Sequence, residues 1–200
     1  MPRSRIFLLS PAHCGGKRAG YLLDDRARFP LAQRIREEGI TLGEAFSFLS
    51  GLYFRGKLAY ATRFARPQGA EGAVQVITAN RGLLPAATTI GVDDLRAFSG
   101  VDIHQDDRRY RAPLERDVER LSAGAPEIVL LGSIATAKYV DVLAESLGER
   151  LLFPADFVGR GDMSRGALLL RASREGRELE YVPVAGSVRS TARPRAKAKS

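Results

Sequence analysis

An α/β fold with a mostly parallel sheet is the class this sequence predicts, and three observations predict it. Short apolar, β-rich runs recur at Ile6–Leu9, Val74–Thr78, Ile128–Leu131 and Leu179–Val184, with a weaker one at Leu151–Phe153. The runs at Ile6 and Ile128 are continuously apolar, as strands covered on both faces are. Segments of helical periodicity separate the runs, and strand–helix alternation selects a single three-layer domain. A chain of 200 residues suits one core.

Taken in order, the first run leads into the glycine-bearing loop Ser10–Arg18 and the start of a helix at Lys17 to Ala19. Pro30 to Glu38 is helical, with Leu31, Ala32 and Ile35 apolar and Gly39 able to stop it. Thr41-Leu42-Gly43-Glu44 fits a capping box that opens a helix through Leu49. Tyr53 to Phe64 is a further helix, with Phe54, Leu58 and Ala61 on one stripe. Pro113 to Leu121, Ala137 to Leu147 and Ser164 to Ser173 complete the helical set. Asp162 or Ser164 serves as the N-cap of the last.

The formal net charge of +8 is uneven. Residues 186–200 carry Arg189, Arg193, Arg195, Lys197 and Lys199 and no acid. That stretch has almost nothing to bury and reads as a disordered basic tail on a domain spanning 1–185. Such a tail can neutralise phosphates without reading sequence, or simply solubilise a terminus. The single cysteine excludes a disulfide framework. No apolar run is long enough to span a bilayer, and the N-terminal run is too short for a signal-peptide core, so a cytoplasmic protein is expected.

In a parallel sheet the loops after the strands open on one edge. Four such loops combine glycine with hydroxyls, amides or cations: Ser10–Arg18, Asn80–Pro85, Gly132–Thr136 and Gly159–Gly166. Glycine lets backbone approach a ligand, and arginine offers a planar fork to phosphate, carboxylate or a base edge. The ligand-binding candidates are therefore Ser10, His13, Cys14, Lys17, Arg18, Asn80, Arg81, Ser133, Arg160 and Arg165. The same residue types also make caps and turns; Arg160 and Arg165 have no such structural role in the sequence. Gly15-Gly16-Lys17 is not a P-loop, because Pro11 and Arg18 stand where glycine and Ser or Thr are required.

Cys14, beside Lys17 and Arg18, is a candidate nucleophile with a lowered pKa, with His104 as its base; the competing reading is a small half-buried cysteine in a tight loop. Asp102, His104 and Asp106 could position or deprotonate water, or belong to a solvated loop. Ser50 to Lys57 mixes aromatics with cations, as base-stacking surfaces do, and leaves Tyr53, Arg55 and Lys57 for a ligand. Two His and one Cys without recognisable spacing make no zinc site. No cofactor is implied.

Leu8-Leu9-Ser10-Pro11-Ala12 resembles the Leu-Ser-Pro-Ala-Lys opening of the bacterial YaaA-type peroxide-resistance proteins. Thr78-Ala79-Asn80-Arg81-Gly82-Leu83-Leu84-Pro85 is similar to their Ser-Gly-Leu-Tyr-Gly-Leu-Leu-Arg-Pro element. More loosely, the same pieces resemble the uracil-DNA-glycosylase-like α/β group. His13 replaces the family lysine, and motifs of the Gly-Gln-Asp-Pro-Tyr and His-Pro-Ser types are missing. The resemblance implies a role in DNA protection or base processing.

The expected function is binding of nucleic acid or a nucleotide at the strand-end crevice. As an enzyme, the chain would hydrolyse or transfer at an N-glycosidic bond, with Asp102, His104 or Asp106 placing water. The alternatives are a small-molecule hydrolase or transferase using Cys14, and a non-catalytic interaction module. No membrane partner is expected.

Overall fold

A computed structural model describes residues 4–66, 72–123, 126–135 and 137–187. The predicted tail falls almost wholly on 188–200, outside the described residues. Among the described residues no helix is long and apolar enough to cross a membrane.

The elements run β1 (Arg5–Leu9), α1 (Lys17–Leu23), α2 (Pro30–Glu37), β2 (Ile40–Thr41), α3 (Leu42–Ser50), α4 (Leu52–Phe64), β3 (Val74–Ile77), β4 (Leu83–Pro85) and β5 (Thr89–Ile90). They continue α5 (Val92–Ser99), α6 (Arg108–Ser122), β6 (Glu127–Leu131), α7 (Ala137–Leu147), β7 (Leu151–Pro154), α8 (Asp162–Glu175) and β8 (Tyr181–Pro183). The fold is α/β, as expected. A six-stranded sheet has the order β4-β3-β1-β6-β7-β8, and β2 and β5 form a separate ribbon.

The four inner strands β3, β1, β6 and β7 are parallel, and both edges, β4 and β8, are antiparallel. β1 is central: Phe7 pairs with Val74 on one side and Val129 on the other. Its Phe7, Leu8 and Leu9 are fully buried, as the continuous apolar run required. All five predicted strands are present. The chain passes from β1 to β3 in one direction and from β3 across β1 to β6 in the other. β1 and β6 therefore flank the point where strand order reverses, where open sheets part to make a crevice.

Of the helices, α4 and α8 have the most extensive contact. Glycine makes it possible. A Cβ at Gly56 would stand 2.5 Å from the Gly166 carbonyl oxygen, and one at Gly166 would stand 2.8 Å from the Tyr53 Cα. The capping box at α3 is present: Glu44 N–H donates to Thr41 Oγ1 at 3.1 Å, and Thr41 N–H donates to Glu44 Oε2 at 3.0 Å.

Two local expectations are corrected. α6 begins at Arg108, not Pro113. The Asp107 carboxylate accepts from Arg109 N–H at 2.9 Å and caps the helix, and Pro113 lies inside it. α8 begins at Asp162 after a Gly161 N-cap, so neither Asp162 nor Ser164 has the capping role predicted for it.

Candidate functional site

The C-terminal ends of the four parallel strands open into one cleft of about 670 Å³. The loops after three of them contribute Ser10 to Gly15 after β1, Ala79 after β3 and Ser133 after β6, and Asp162 joins them from the start of α8. Phe46, Tyr53, Phe98 and Tyr139 supply aromatic surface, and Asp102, His104 and Lys138 stand among the lining residues.

At the β1–β6 junction lies a buried polar cluster. The Ser10 N–H donates to the Leu131 carbonyl at 3.1 Å, which continues the β1–β6 ladder beyond its last strand residue. Lys57, from α4, is 1% exposed and Ser10 is 6% exposed. The Lys57 ammonium lies 2.7 Å from the Ser10 carbonyl oxygen and 2.8 Å from Ser10 Oγ. It also stands 4.6 Å from the centre of the Tyr53 ring and 4.8 Å from that of Phe54. Among aromatic faces, the amine is held to about pKa 7 by burial, opposed by the Asp162 carboxylate. Tyr139, buried, closes the β6 side of the cleft, and burial pushes its hydroxyl pKa up. Gly132 permits this approach, since a Cβ there would stand 2.9 Å from Ser10 Cβ and 3.0 Å from the Tyr139 hydroxyl.

No family model, curated protein or solved structure matches this chain. The site is therefore read from its own geometry.

Of the predicted ligand-binding residues, Ser10, His13, Cys14 and Ser133 line the cleft. So do Tyr53 and Lys57 of the aromatic–cation segment, whereas Lys17, Arg18, Arg81, Arg160 and Arg165 do not. Arg18 donates to the Phe48 carbonyl at 3.3 Å, and Lys17 is exposed on α1 outside the lining. Asn80 donates to the Ala97 carbonyl at 3.0 Å, and Arg81 is ion-paired with Asp94. Arg160 and Arg165 have the structural roles the sequence did not reveal. Arg160 Nε donates to the Asp156 carbonyl at 2.8 Å, and buried Arg165 donates to the Phe157 carbonyl at 3.3 Å and meets Asp162 at 3.4 Å.

Asp102 and His104 reach the cleft, while Asp106 lies outside its lining, 3.6 Å from an imidazole that is 61% exposed. The nucleophile reading of Cys14 is corrected. Its thiol is buried against the Ala12 carbonyl at 3.5 Å, and burial pushes its pKa up to about 12 rather than down. Among the described residues no group of three His, Cys, Asp or Glu side chains is arranged to hold a metal ion.

Lys57 was legible as a ligand candidate but not as a partner of Ser10. Its signal is positional. It sits four residues after Tyr53 and three and four before Tyr60 and Ala61, all buried, so it interrupts the inward face of α4. Tyr139 and Asp162 carried no comparable sign.

Proposed function

We propose that the cleft binds a nucleoside or nucleotide and supports hydrolysis or group transfer on it. The observation that carries this reading is the convergence of the loops after β1, β3 and β6, with the start of α8, on one cleft at the β1–β6 reversal, with aromatic faces beside hydroxyls. A flat heterocycle gains from aromatic contact, and Ser10, Ser133 and Asp102 offer donors and acceptors to its edge. The proposal takes the domain as three layers. Right-handed crossovers running in opposite directions from β1 and β3 put α4 and α6 on opposite faces of the sheet. It also narrows the ligand to one with little phosphate, because Lys17, Arg18, Arg81 and Arg160 stand outside the cleft and Lys138 is the exposed lysine on its lining.

Titration calorimetry with free bases, nucleosides, nucleotides and a short single-stranded DNA tests it. Binding of at least one base-bearing class, weakened tenfold or more by Asp102→Asn or Ser133→Ala, is the expected result. Wild-type protein that binds none of them overturns the reading, as does binding that both variants leave intact.

A further inference from the structure

We propose that Ser10 and Lys57 form a nucleophile–base pair at the floor of the cleft, acting on the acyl carbon of a small ester or amide. This goes beyond the base-binding reading and does not rest on it.

The geometry is that of an activated hydroxyl. Ser10 Oγ lies 2.8 Å from Lys57 Nζ, within reach for direct proton transfer, and lines the cleft. The bond from Nζ to the Ser10 carbonyl, 2.7 Å, fixes the amine on the residue it serves. A neutral amine can donate to that carbonyl and still present its lone pair to the hydroxyl proton. The Tyr53 and Phe54 rings attract the charged amine and the Asp162 carboxylate favours it, but burial outweighs both and favours the neutral form. The charged and titratable groups lining the cleft with this pair are His13 and Cys14 from the β1 loop, Tyr53 from α4, Asp102 and His104 from the segment before α6, Lys138 and Tyr139 from α7 and Asp162 from α8, with Arg165 acting on Tyr53 from α8.

The step balances without a further reagent. Lys57 takes the proton from Ser10 Oγ as the oxygen bonds to the carbonyl carbon. The oxyanion faces the Tyr139 hydroxyl. Collapse breaks the bond to the leaving group, which takes the proton back from Lys57, and leaves an acyl-serine. Water then attacks with Lys57 again as base, releasing the carboxylic acid and restoring Ser10. An acceptor alcohol or amine in place of water makes the same site a transferase.

Two electrophiles test this on the full chain: a fluorophosphonate, which loses fluoride on forming a serine phosphonate ester, and p-nitrophenyl acetate, which acetylates. Intact mass and peptide mapping read the adduct. The expected result is a single adduct on Ser10 of the folded protein, absent in Ser10→Ala and in urea-unfolded chain. Its rate should rise through pH 7 and fall at least a hundredfold in Lys57→Met. If Lys57→Met fails to fold, the wild-type pH profile stands in for it. No Ser10 adduct from either reagent between pH 6 and 9, an adduct on Lys57 instead, or a rate independent of pH overturns the pair. Ser10 labelling without nucleoside binding upholds the pair and removes the base-binding reading; the converse removes only the pair.

Discussion

Gly56 and Gly166 meet backbone to backbone where α4 crosses α8, and the residue after Gly56 is Lys57. The helix contact and the placement of the amine are therefore set within one turn. Asp162, whose charge acts on Lys57, opens the facing helix.

Gly56→Ala should thus do more than loosen a contact. Its methyl has only the Gly166 backbone to displace, and overpacking of this kind costs about 1–3 kcal/mol. We expect urea denaturation to show that loss. The same variant should label more slowly at Ser10, because α4 must move outward with Lys57 on it.

The buried amine makes a second prediction, about pH. Lys57 is held to about 7 in the folded protein against an ordinary value of 10.5. Between those values the unfolded chain binds more protons, so this residue's contribution to stability rises with pH from about 7 to about 10.5. Below that window its penalty is present in full, on the order of a few kcal/mol at ~1.4 kcal/mol per pH unit. The difference in unfolding free energy between wild type and Lys57→Met, measured from pH 6 to 10, should show the slope. A flat difference would contradict it.

Cys14 has the opposite sign. Its folded pKa is raised from 9.0 to about 12, so its contribution is present in full below about 9 and is lost as pH climbs toward 12. Iodoacetamide at pH 8 should leave the folded protein unmodified while alkylating the urea-unfolded chain. Rapid alkylation of the native protein would refute the buried placement.

Asp117 anchors the turn before β4. It is buried, and its Oδ2 accepts from Leu83 N–H at 3.0 Å across from α6. Asp117→Ala leaves that donor unpaired and should cost about 1–3 kcal/mol. Asp117→Asn keeps an acceptor and should recover part of the loss in the same denaturation experiment.

β1 and β6 were legible because their runs are continuously apolar, whereas the two-residue strands β2 and β5 carry too few residues to show a pattern and β4, Leu83–Pro85, was read as part of the loop after β3. The α3 cap was legible because Thr41 and Glu44 stand at the spacing that reciprocal capping demands. The start of α6 was misread for a physical reason: proline favours a first helical turn, but Asp107 caps the helix earlier and Pro113 is absorbed within it. α5 escaped notice because Asp94 caps it through its own side chain onto Gly91 N–H at 2.8 Å, leaving no Ser or Thr signature. In the site, residues of the loop after β1 were found and the predicted arginines were not part of it. An arginine in a glycine-rich loop looks the same in sequence whether it faces a ligand or, like Arg165, a carbonyl eight residues away. Lys57 was visible as an interruption of an apolar face; its meeting with Ser10, 47 residues distant, was not.

The central position of β1 also bears on how the protein is made. β1 needs partners on both sides, and the second of these, β6, is synthesised more than a hundred residues after it. Pairings so distant in sequence form slowly and late. Ser10 is tied to β6 through Leu131 and to α4 through Lys57, so the cleft floor is assembled only when most of the domain has docked. An incomplete chain has no partial version of this floor to offer, and a reactive Ser10 would report a finished fold.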